Sequence, residues 1–471
     1  MKDASDYNTD YLIIGGGPGG DAAANRLAQL GAKGVVLVEQ GPVGGTCVNW
    51  GCIPTHFLLE NLLLREQISE AKYRHRIFST VPEVDFEALK SGKRKVIKSL
   101  QLSIMQSFEK NGVEFIQGKA RVITPHKVEI TRDDGTTVTK TAKTIIIASG
   151  APFTGLHVPG MENVKEHLIR ADRVMELDFE RIPDSIAVYG FDSPAVELAS
   201  FFHFLGSEVV LLSPKGFVVS YGSPELHQSV EDMLAFHDMD LYKDVKLNRL
   251  SKVEDRLLVE FAEKGKDGNR LECQFLVDAY GRQANLGCIE NLPIRLEGHR
   301  PAVSETFQSS IEHVYFLGDV RSGGTVPFRS HLAAFSGRVL ADRLMGKAGG
   351  SKVDLNLLLR GMVTIDFQIA KIGMTEQEAI KEGYEVKTLR TPNAHNAHAH
   401  ILGQIAGYVL LVAESGTGKI LGGEIVGPDA INLITVIGTA MACDGTIQDL
   451  KKFPGFHPSL AEGIFDSAWS E

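Results

Sequence analysis

The hydrophobic pattern over residues 11–39, YLIIGGGPGGDAAANRLAQLGAKGVVLVE, opens as a short apolar run and breaks at clustered glycines. It continues as an alanine-rich segment and leaves through a second apolar run. Short apolar runs bounded by turn residues read as buried strands, so the segment predicts strand, turn, helix and strand, a βαβ unit. Residues 186–213, IAVYGFDSPAVELASFFHFLGSEVVLLS, repeat that layout. The chain is therefore expected to be an α/β protein with two Rossmann-like units in series. Further along, ESGTGKILGGEIVGP at 414–428 reads as a hairpin. Its GTGK is a turn and not a phosphate loop, because the G-x-x-x-x-G-K-[ST] spacing is absent. Charges at helical spacing in EQISEAKYRHR, 66–76, predict a solvated helix face.

The two units differ in their glycines. In the first, Gly15, Gly17 and Gly20 fit G-x-G-x-x-G, and Glu39 stands at the end of the second strand. Such glycines let the backbone approach a pyrophosphate at the helix N-terminus, and the acid accepts hydrogen bonds from the adenosine ribose. Superposed on this, the second unit keeps Gly190 for Gly15 but places Asp192 at Gly17, Ala195 at Gly20 and Ser213 at Glu39. Alanine is tolerated at the third position. Asp192 instead brings a Cβ and a negative charge to the pyrophosphate position, and as an N-cap it would occupy the helix's own N–H groups. Ser213 lacks the carboxylate that holds an NAD ribose. The second unit is thus expected to be impaired for NAD(P)H, serving as a scaffold or taking another ligand or a weakly bound nicotinamide.

Composition narrows the partners. The chain has 471 residues, room for about three domains. A net charge of −10 argues against nucleic acid and anionic membranes. No run of about 18 apolar residues predicts membrane insertion. The N-terminal MKDASDYNTDYLIIGGG has acids where a signal peptide needs bases, so a cytoplasmic protein is expected. Five cysteines in a chain of this length do not make a secreted disulfide framework. Cys273, Cys288 and Cys443 are scattered and read as buried small hydrophobes.

Cys47 and Cys52 are the close pair, in GGTCVNWGCIPTH, 44–56. In an unbroken helix, residues five apart lie roughly 8–9 Å from each other and point about 140° apart. A disulfide tolerates about 7 Å between Cα atoms, so a Cys47–Cys52 bond requires a distortion near Gly51. So short a loop stabilises little as a staple, and only His56 is at hand to extend a metal set, so no metal is expected. A redox-active dithiol beside the first nucleotide unit remains.

Here the sequence resembles the class I flavoprotein disulfide reductases, the family of dihydrolipoamide dehydrogenase, glutathione reductase and mercuric reductase. GGTCVNWGCIPTH is similar to GGTCxNxGCxPSK, TIIIASG (144–150) to the strand closing the FAD domain, and DAYGRQAN (278–285) to GRxPN. VYFLGDV (314–320) resembles the strand carrying the aspartate that contacts the ribitol, and FHPSLAE (456–462) resembles HPTxxE. The resemblance implies an FAD domain at 1–150, an NAD(P)-binding-like domain at 151–281, a segment at 282–348 completing the FAD domain and a C-terminal α+β dimerisation domain at 349–471. It implies FAD contacts from Gly15, Gly17, Gly20, Glu39, Gly45, Thr46, Ser149, Gly150, Arg282, Gly318 and Asp319. Cys47 would be the interchange thiol and Cys52 the thiol near the flavin. His457, its ring oriented by Glu462, would act as acid–base group in the partner subunit of a homodimer. A helix beginning near Pro327 would aim its N-terminus at the flavin.

The departures fall on the nicotinamide side. His56 replaces the family's lysine, whose glutamate partner is matched by Glu197, and Ser193 replaces the gate aromatic. Two electron routes follow: NAD(P)H through an altered site, or oxygen, a quinone or a redox protein in its place. A non-catalytic FAD-binding protein is disfavoured by the intact Cys47, Cys52, His457 and Glu462. The substrate is expected to be a thiol or disulfide. In NAHNAHAH, 393–400, His398 and His400 would share one face of a strand, but no acid or cysteine joins them and His395.

Overall fold

The computed structural model describes residues 7–177, 179, 181–290, 292–321, 328–347 and 353–470, the side chain of His75 excepted. It forms two compact units, residues 1–57, 85–154 and 281–353, and residues 58–84, 155–280 and 354–471.

The first unit opens with β1 (Thr9–Ile14), α1 (Pro18–Gln29) and β2 (Val35–Glu39). Helices α2 (Gly45–Asn49), α3 (Cys52–Glu70), which belongs to the second unit from residue 58 on, and α4 (Phe86–Asn111) follow. Strands β3 (Glu114–Gln117), β4 (Lys119–Thr124), β5 (Lys127–Thr131) and β6 (Thr137–Ile147) complete the order β3-β2-β1-β6-β5-β4. The first four strands pair in parallel, and Leu12, Ile13, Leu37 and Ile146 are wholly buried. Burial on both faces is why these strands read as continuous apolar runs.

In the second unit come β7 (Leu168–Arg170), α5 (Ala171–Val174), β8 (Ser185–Gly190), α6 (Asp192–Phe204), β9 (Glu208–Leu212), α7 (Pro224–Phe236) and β10 (Asp240–Tyr242). An antiparallel sheet of β11 (Val245–Val253), β12 (Arg256–Glu263) and β13 (Lys266–Cys273) precedes β14 (Phe275–Ala279). Strands β10-β9-β8-β14-β7 form a parallel sheet whose Ala187, Tyr189 and Leu276 pack with Leu257 and Phe261 of the antiparallel one.

After β15 (Leu296–Glu297) and β16 (Arg300–Pro301), the chain rejoins the first sheet through β17 (Val314–Phe316), parallel to β6. Helix α8 (Ser330–Leu344) then packs backbone to backbone on α1. A Cβ on Gly337 would lie 2.4 Å from the Gly19 oxygen, and Arg26 pairs with Asp342 at 2.6 Å. Pro327 lies outside the described residues, and the helix begins at Ser330.

The remainder of the second unit is β18 (Arg360–Val363), β19 (Gln368–Gly373), α9 (Glu376–Lys381), β20 (Val386–Pro392), α10 (Ala397–Leu402), β21 (Tyr408–Glu414), β22 (Ile420–Val426), α11 (Ala430–Ala442), α12 (Ile447–Leu450) and α13 (Glu462–Trp469). The antiparallel sheet β18-β19-β22-β21-β20 buries its core against Ile434 and Ile437 of α11 and Ile464 of α13. The hairpin at 414–428 is β21–β22. Two expectations are corrected here. His398 and His400 lie on helix α10, where residues two apart point to different sides, and not on a strand. Cys443 is exposed at the C-cap of α11, beyond the part of that helix that faces the core, whereas Cys273 is buried. Among the described residues no helix is long and apolar enough to cross a membrane.

Candidate active site

The first nucleotide turn is built by close backbone approach. Gly15 takes φ +110°, and a Cβ there would lie 2.3 Å from the Ala148 oxygen; at Gly20 one would lie 1.9 Å from the Gly15 oxygen. At Gly17 a Cβ would meet only the Gly45 Cα, at 3.9 Å. The protein therefore leaves space at the N-cap of α1, and that space suits a dinucleotide pyrophosphate. Glu39 ends β2, and its carboxylate accepts from the N–H groups of Gly16 (2.6 Å) and Gly41 (2.7 Å), which fixes both turns.

The cysteine turn lies directly on this loop. Gly44 (φ 97°) donates its N–H to the Gly16 oxygen at 2.9 Å, and a Cβ on Gly45 (φ 58°) would come 2.7 Å from the Gly17 Cα. Thr46 and Cys47 occupy the short α2, which stops at Trp50 (φ −139°) before α3 starts at Cys52. The helix is interrupted between the two thiols, where a disulfide needs it to be. Pro54 sits in the first turn of α3, where a missing N–H costs nothing. His56 lies one turn along α3 from Cys52.

Two residues outside the expected site set hold this arrangement, Asn49, which fills the asparagine position of GGTCxNxGC, and Ser330. Asn49 is buried; its Nδ2 donates to the Val43 (3.1 Å) and Gly45 (2.8 Å) oxygens, and its Oδ1 accepts from Gln101 at 2.7 Å. An asparagine inside a five-residue helix was the available signal, since it favours side-chain bonds to nearby backbone over helix. Ser330, the first residue of α8, places its Oγ 3.4 Å from Cys52 Sγ. No local pattern could have announced a contact across 278 positions.

Hydrogen bonds from the Cys47 thiol and the Ser330 hydroxyl outweigh burial and hold Cys52 down at about 6. Cys47, which keeps its proton by donating it toward Cys52 and is also desolvated, is pushed far above the usual thiol range. Burial, by contrast, raises Cys273 to about 12 and Cys288 to about 11, so neither is a nucleophile at neutral pH.

The TIIIASG and GRQAN segments are joined. Ser149 Oγ donates to the Asn285 oxygen at 2.6 Å, and the Asn285 N–H donates to the Gly150 oxygen at 2.9 Å. Arg282 donates to Asp319 at 2.8 Å and to the Ala151 oxygen at 2.9 Å, and its guanidinium lies over Phe328. Gly318, Asp319, Arg321, Arg329 and Ser336 line a small cavity. The Nε atoms of Arg321 and Arg329 are buried without partners among the described residues, as expected for donors awaiting an anionic group. The glycine space and these donors fit FAD.

In the second nucleotide unit, the N-cap expectation for Asp192 is corrected. Phe191 is the N-cap of α6, and Asp192 takes φ 62°. Its carboxylate turns from the helix to accept from the Ser220 N–H (2.6 Å) and hydroxyl (2.7 Å), while its own N–H donates to the Val218 oxygen at 2.7 Å. Ser213, fully buried, donates its hydroxyl to the Phe217 oxygen at 2.7 Å. Both departures from the fingerprint thus hold one loop, residues 213–220, whose Val218 and Val219 are buried. Ser193 and Glu197 bind β18: Ser193 Oγ donates to the Gly361 oxygen at 2.6 Å, and Glu197 Oε1 accepts from the Val363 N–H at 3.2 Å.

His457 Nδ1 lies 2.8 Å from Glu462 Oε1, and Glu462 Oε2 accepts from the Ser459 N–H at 2.8 Å. That backbone bond leads the hydrogen bonds and charges holding the Glu462 carboxyl below its usual range. The His457 side chain is 72% exposed, and the His457–Pro458 peptide is cis.

Residues 9–337 match the family described as pyridine nucleotide-disulphide oxidoreductase, and residues 360–468 match its dimerisation domain. The chain is 30% identical over 469 residues to dihydrolipoyl dehydrogenase 2, mitochondrial, of Arabidopsis thaliana, covering 98% of this chain and 90% of the relative. It is 30% identical to leghemoglobin reductase of Vigna unguiculata, covering 98% and 87%. In fold it is similar to LpdA from Mycobacterium tuberculosis, with TM-score 0.89, 22% identity and coverage of 98% and 99%. It is also similar in fold to the HOCl-induced flavoprotein disulfide reductase RclA from Escherichia coli, with TM-score 0.83, 21% identity and coverage of 97% and 98%.

Proposed function

The chain belongs to the pyridine nucleotide-disulphide oxidoreductase family, and from that membership we propose that it passes electron pairs from a dithiol, of the lipoyl kind, to FAD through Cys47 and Cys52 while its nicotinamide side is impaired. It is a flavoprotein oxidoreductase acting on sulfur groups, with a dimerisation domain. The observation that carries the dithiol reading is the pair itself, set on a broken helix against the nucleotide loop with the Ser330 hydroxyl 3.4 Å from Cys52 Sγ.

In the oxidised state one substrate thiolate attacks Cys47 Sγ; a substrate–Cys47 bond forms as the Cys47–Cys52 bond breaks, and Cys52 leaves as the thiolate its surroundings favour. The second substrate thiol loses its proton to His457 of the partner subunit and attacks the substrate sulfur of the mixed disulfide; the substrate leaves as its disulfide, and Cys47 departs as a thiolate that takes the proton back from the partner's His457. Glu462 keeps the imidazole in the tautomer that accepts at Nε2 and stabilises it once charged. FAD held beside Cys52 would supply the two-electron acceptor through which the reduced pair returns to its disulfide. Gly15, Gly17, Gly20, Glu39, Gly45, Thr46, Ser149, Gly150, Arg282, Gly318 and Asp319 are the residues that would hold it, with His56 and Glu197 as candidates for tuning it.

The loop held by Asp192 and Ser213 favours a second electron partner, an oxygen, quinone or redox-protein acceptor, over NAD(P)H. Both side chains that would meet a dinucleotide are spent inside the protein, and Asp192 adds like-charge repulsion. Anaerobic mixing of the FAD-loaded protein with NADH or NADPH tests this: slow flavin bleaching is expected, and rapid bleaching overturns it.

A further inference from the structure

The histidine-rich NAHNAHAH segment divides into parts with different surroundings. His395 is exposed and His400 Nε2 meets the Ala394 oxygen at 2.8 Å, closing the turn before α10. Among the described residues no group of three His, Cys, Asp or Glu side chains is placed to hold a metal. Asn396 and His398, between them, sit under the His457–Glu462 pair.

Asn396 is 5% exposed and works in two directions. Its Oδ1 caps α10 by accepting from the Ala399 N–H at 3.0 Å, and its Nδ2 donates to the Ser459 oxygen at 2.9 Å. Ser459 in turn donates its N–H to Glu462 Oε2 at 2.8 Å, and Glu462 Oε1 meets His457 Nδ1 at 2.8 Å. One hydrogen-bonded chain therefore runs from Asn396 through Ser459 and Glu462 to the imidazole. We propose that Asn396 is a positioning residue for the acid–base work of His457, fixing the Ser459 peptide so that Glu462 holds the ring in one plane and one tautomer. This rests on the reading that His457 takes the proton of the dithiol step.

The surroundings agree. His398 Nδ1 and Ser459 Oγ are both buried without partners among the described residues. The Ser459 N–H leads what holds the Glu462 carboxyl down, with His457 and His398 behind it, and burial followed by the Glu462 charge raises Asp466, one turn along α13. Loss of the Ser459 N–H would leave that carboxylate less tied and the ring free to rotate away from the reacting sulfur.

Asn396→Asp separates the two jobs: an aspartate still caps α10 but cannot donate to the Ser459 oxygen. Asn396→Ser, which also caps, serves if the first variant does not fold. Flavin reduction by dithiothreitol in the FAD-loaded dimer, followed across pH beside His457→Gln and Glu462→Gln, is the measurement. The expected result is a melting temperature near that of the parent with a rate roughly ten- to a hundredfold lower, as misplacement of a catalytic group produces. The pH profile is expected to move in the same direction as in Glu462→Gln. A parent-like rate and profile in Asn396→Asp, with Glu462→Gln impaired, overturns the positioning role alone. Parent-like rates in His457→Gln and Glu462→Gln overturn the catalytic reading and this inference with it.

Discussion

Asp192 and Ser220 are joined by two hydrogen bonds, the carboxylate accepting from the backbone N–H at 2.6 Å and from the hydroxyl at 2.7 Å. The residue standing at the pyrophosphate position of the second unit is thereby committed to its own chain. Replacing Asp192 by Gly and Ser213 by Glu restores the fingerprint and is expected to tighten NADH binding at least about tenfold, the worth of one like-charge contact removed. Fluorescence titration of the nicotinamide checks it. Unchanged affinity would locate the defect elsewhere.

Ser330 Oγ lies 3.4 Å from Cys52 Sγ, so it should help set the pH at which the reduced pair becomes reactive. With Cys52 held at about 6, alkylation of the reduced protein rises as pH climbs through that value. Ser330→Ala removes a bond that favours the thiolate, and the rise moves to higher pH. Ultraviolet absorbance of the thiolate, titrated in both proteins, gives the two midpoints.

His126 and His313 stack with ring centroids 3.5 Å apart and 9° between planes, and the His313 Nε2 is buried without a partner among the described residues. Burial, then His126, lowers the His313 pKa. The unfolded chain therefore binds more protons as pH falls below the ordinary imidazole value, and stability contributed by this neutral stack is lost there. Melting at about pH 5 against about pH 7.5 is expected to show a drop that His313→Phe reduces.

Asp278, 3% exposed on β14, has one carboxylate oxygen without a partner among the described residues. Burial raises it to about 6. The folded state holds this proton more tightly than the unfolded one, so stability falls as pH rises from the ordinary carboxylate range to about 6 and stays reduced above it. Asp278→Asn removes that cost and is expected to stabilise at neutral pH by on the order of 1–3 kcal/mol, with little gain near pH 4. Thermal melts at the two pH values check the difference.

Much of this site is legible in the sequence because it is local. The glycines, Glu39 and the cysteine pair act within one turn or one βαβ unit, and Glu462 reaches His457 from five positions away. Asp192 and Ser213 were recognisable as departures, but what they do instead was not. Their partners Ser220 and Phe217 are ordinary loop residues whose importance comes only from where the chain folds back. Ser330 was invisible for a similar reason, and the helical placement of His398 was lost to a segment too short for periodicity to decide.

The proposed function requires a competent dithiol face and an impaired nicotinamide face. Anaerobic stopped-flow absorbance of the FAD-loaded protein, mixed in parallel with reduced lipoamide and with NADH, tests it most directly. Rapid flavin reduction by the dithiol, abolished in Cys47→Ser, and slow reduction by NADH are expected. Rapid reduction by NADH with none by the dithiol would contradict it.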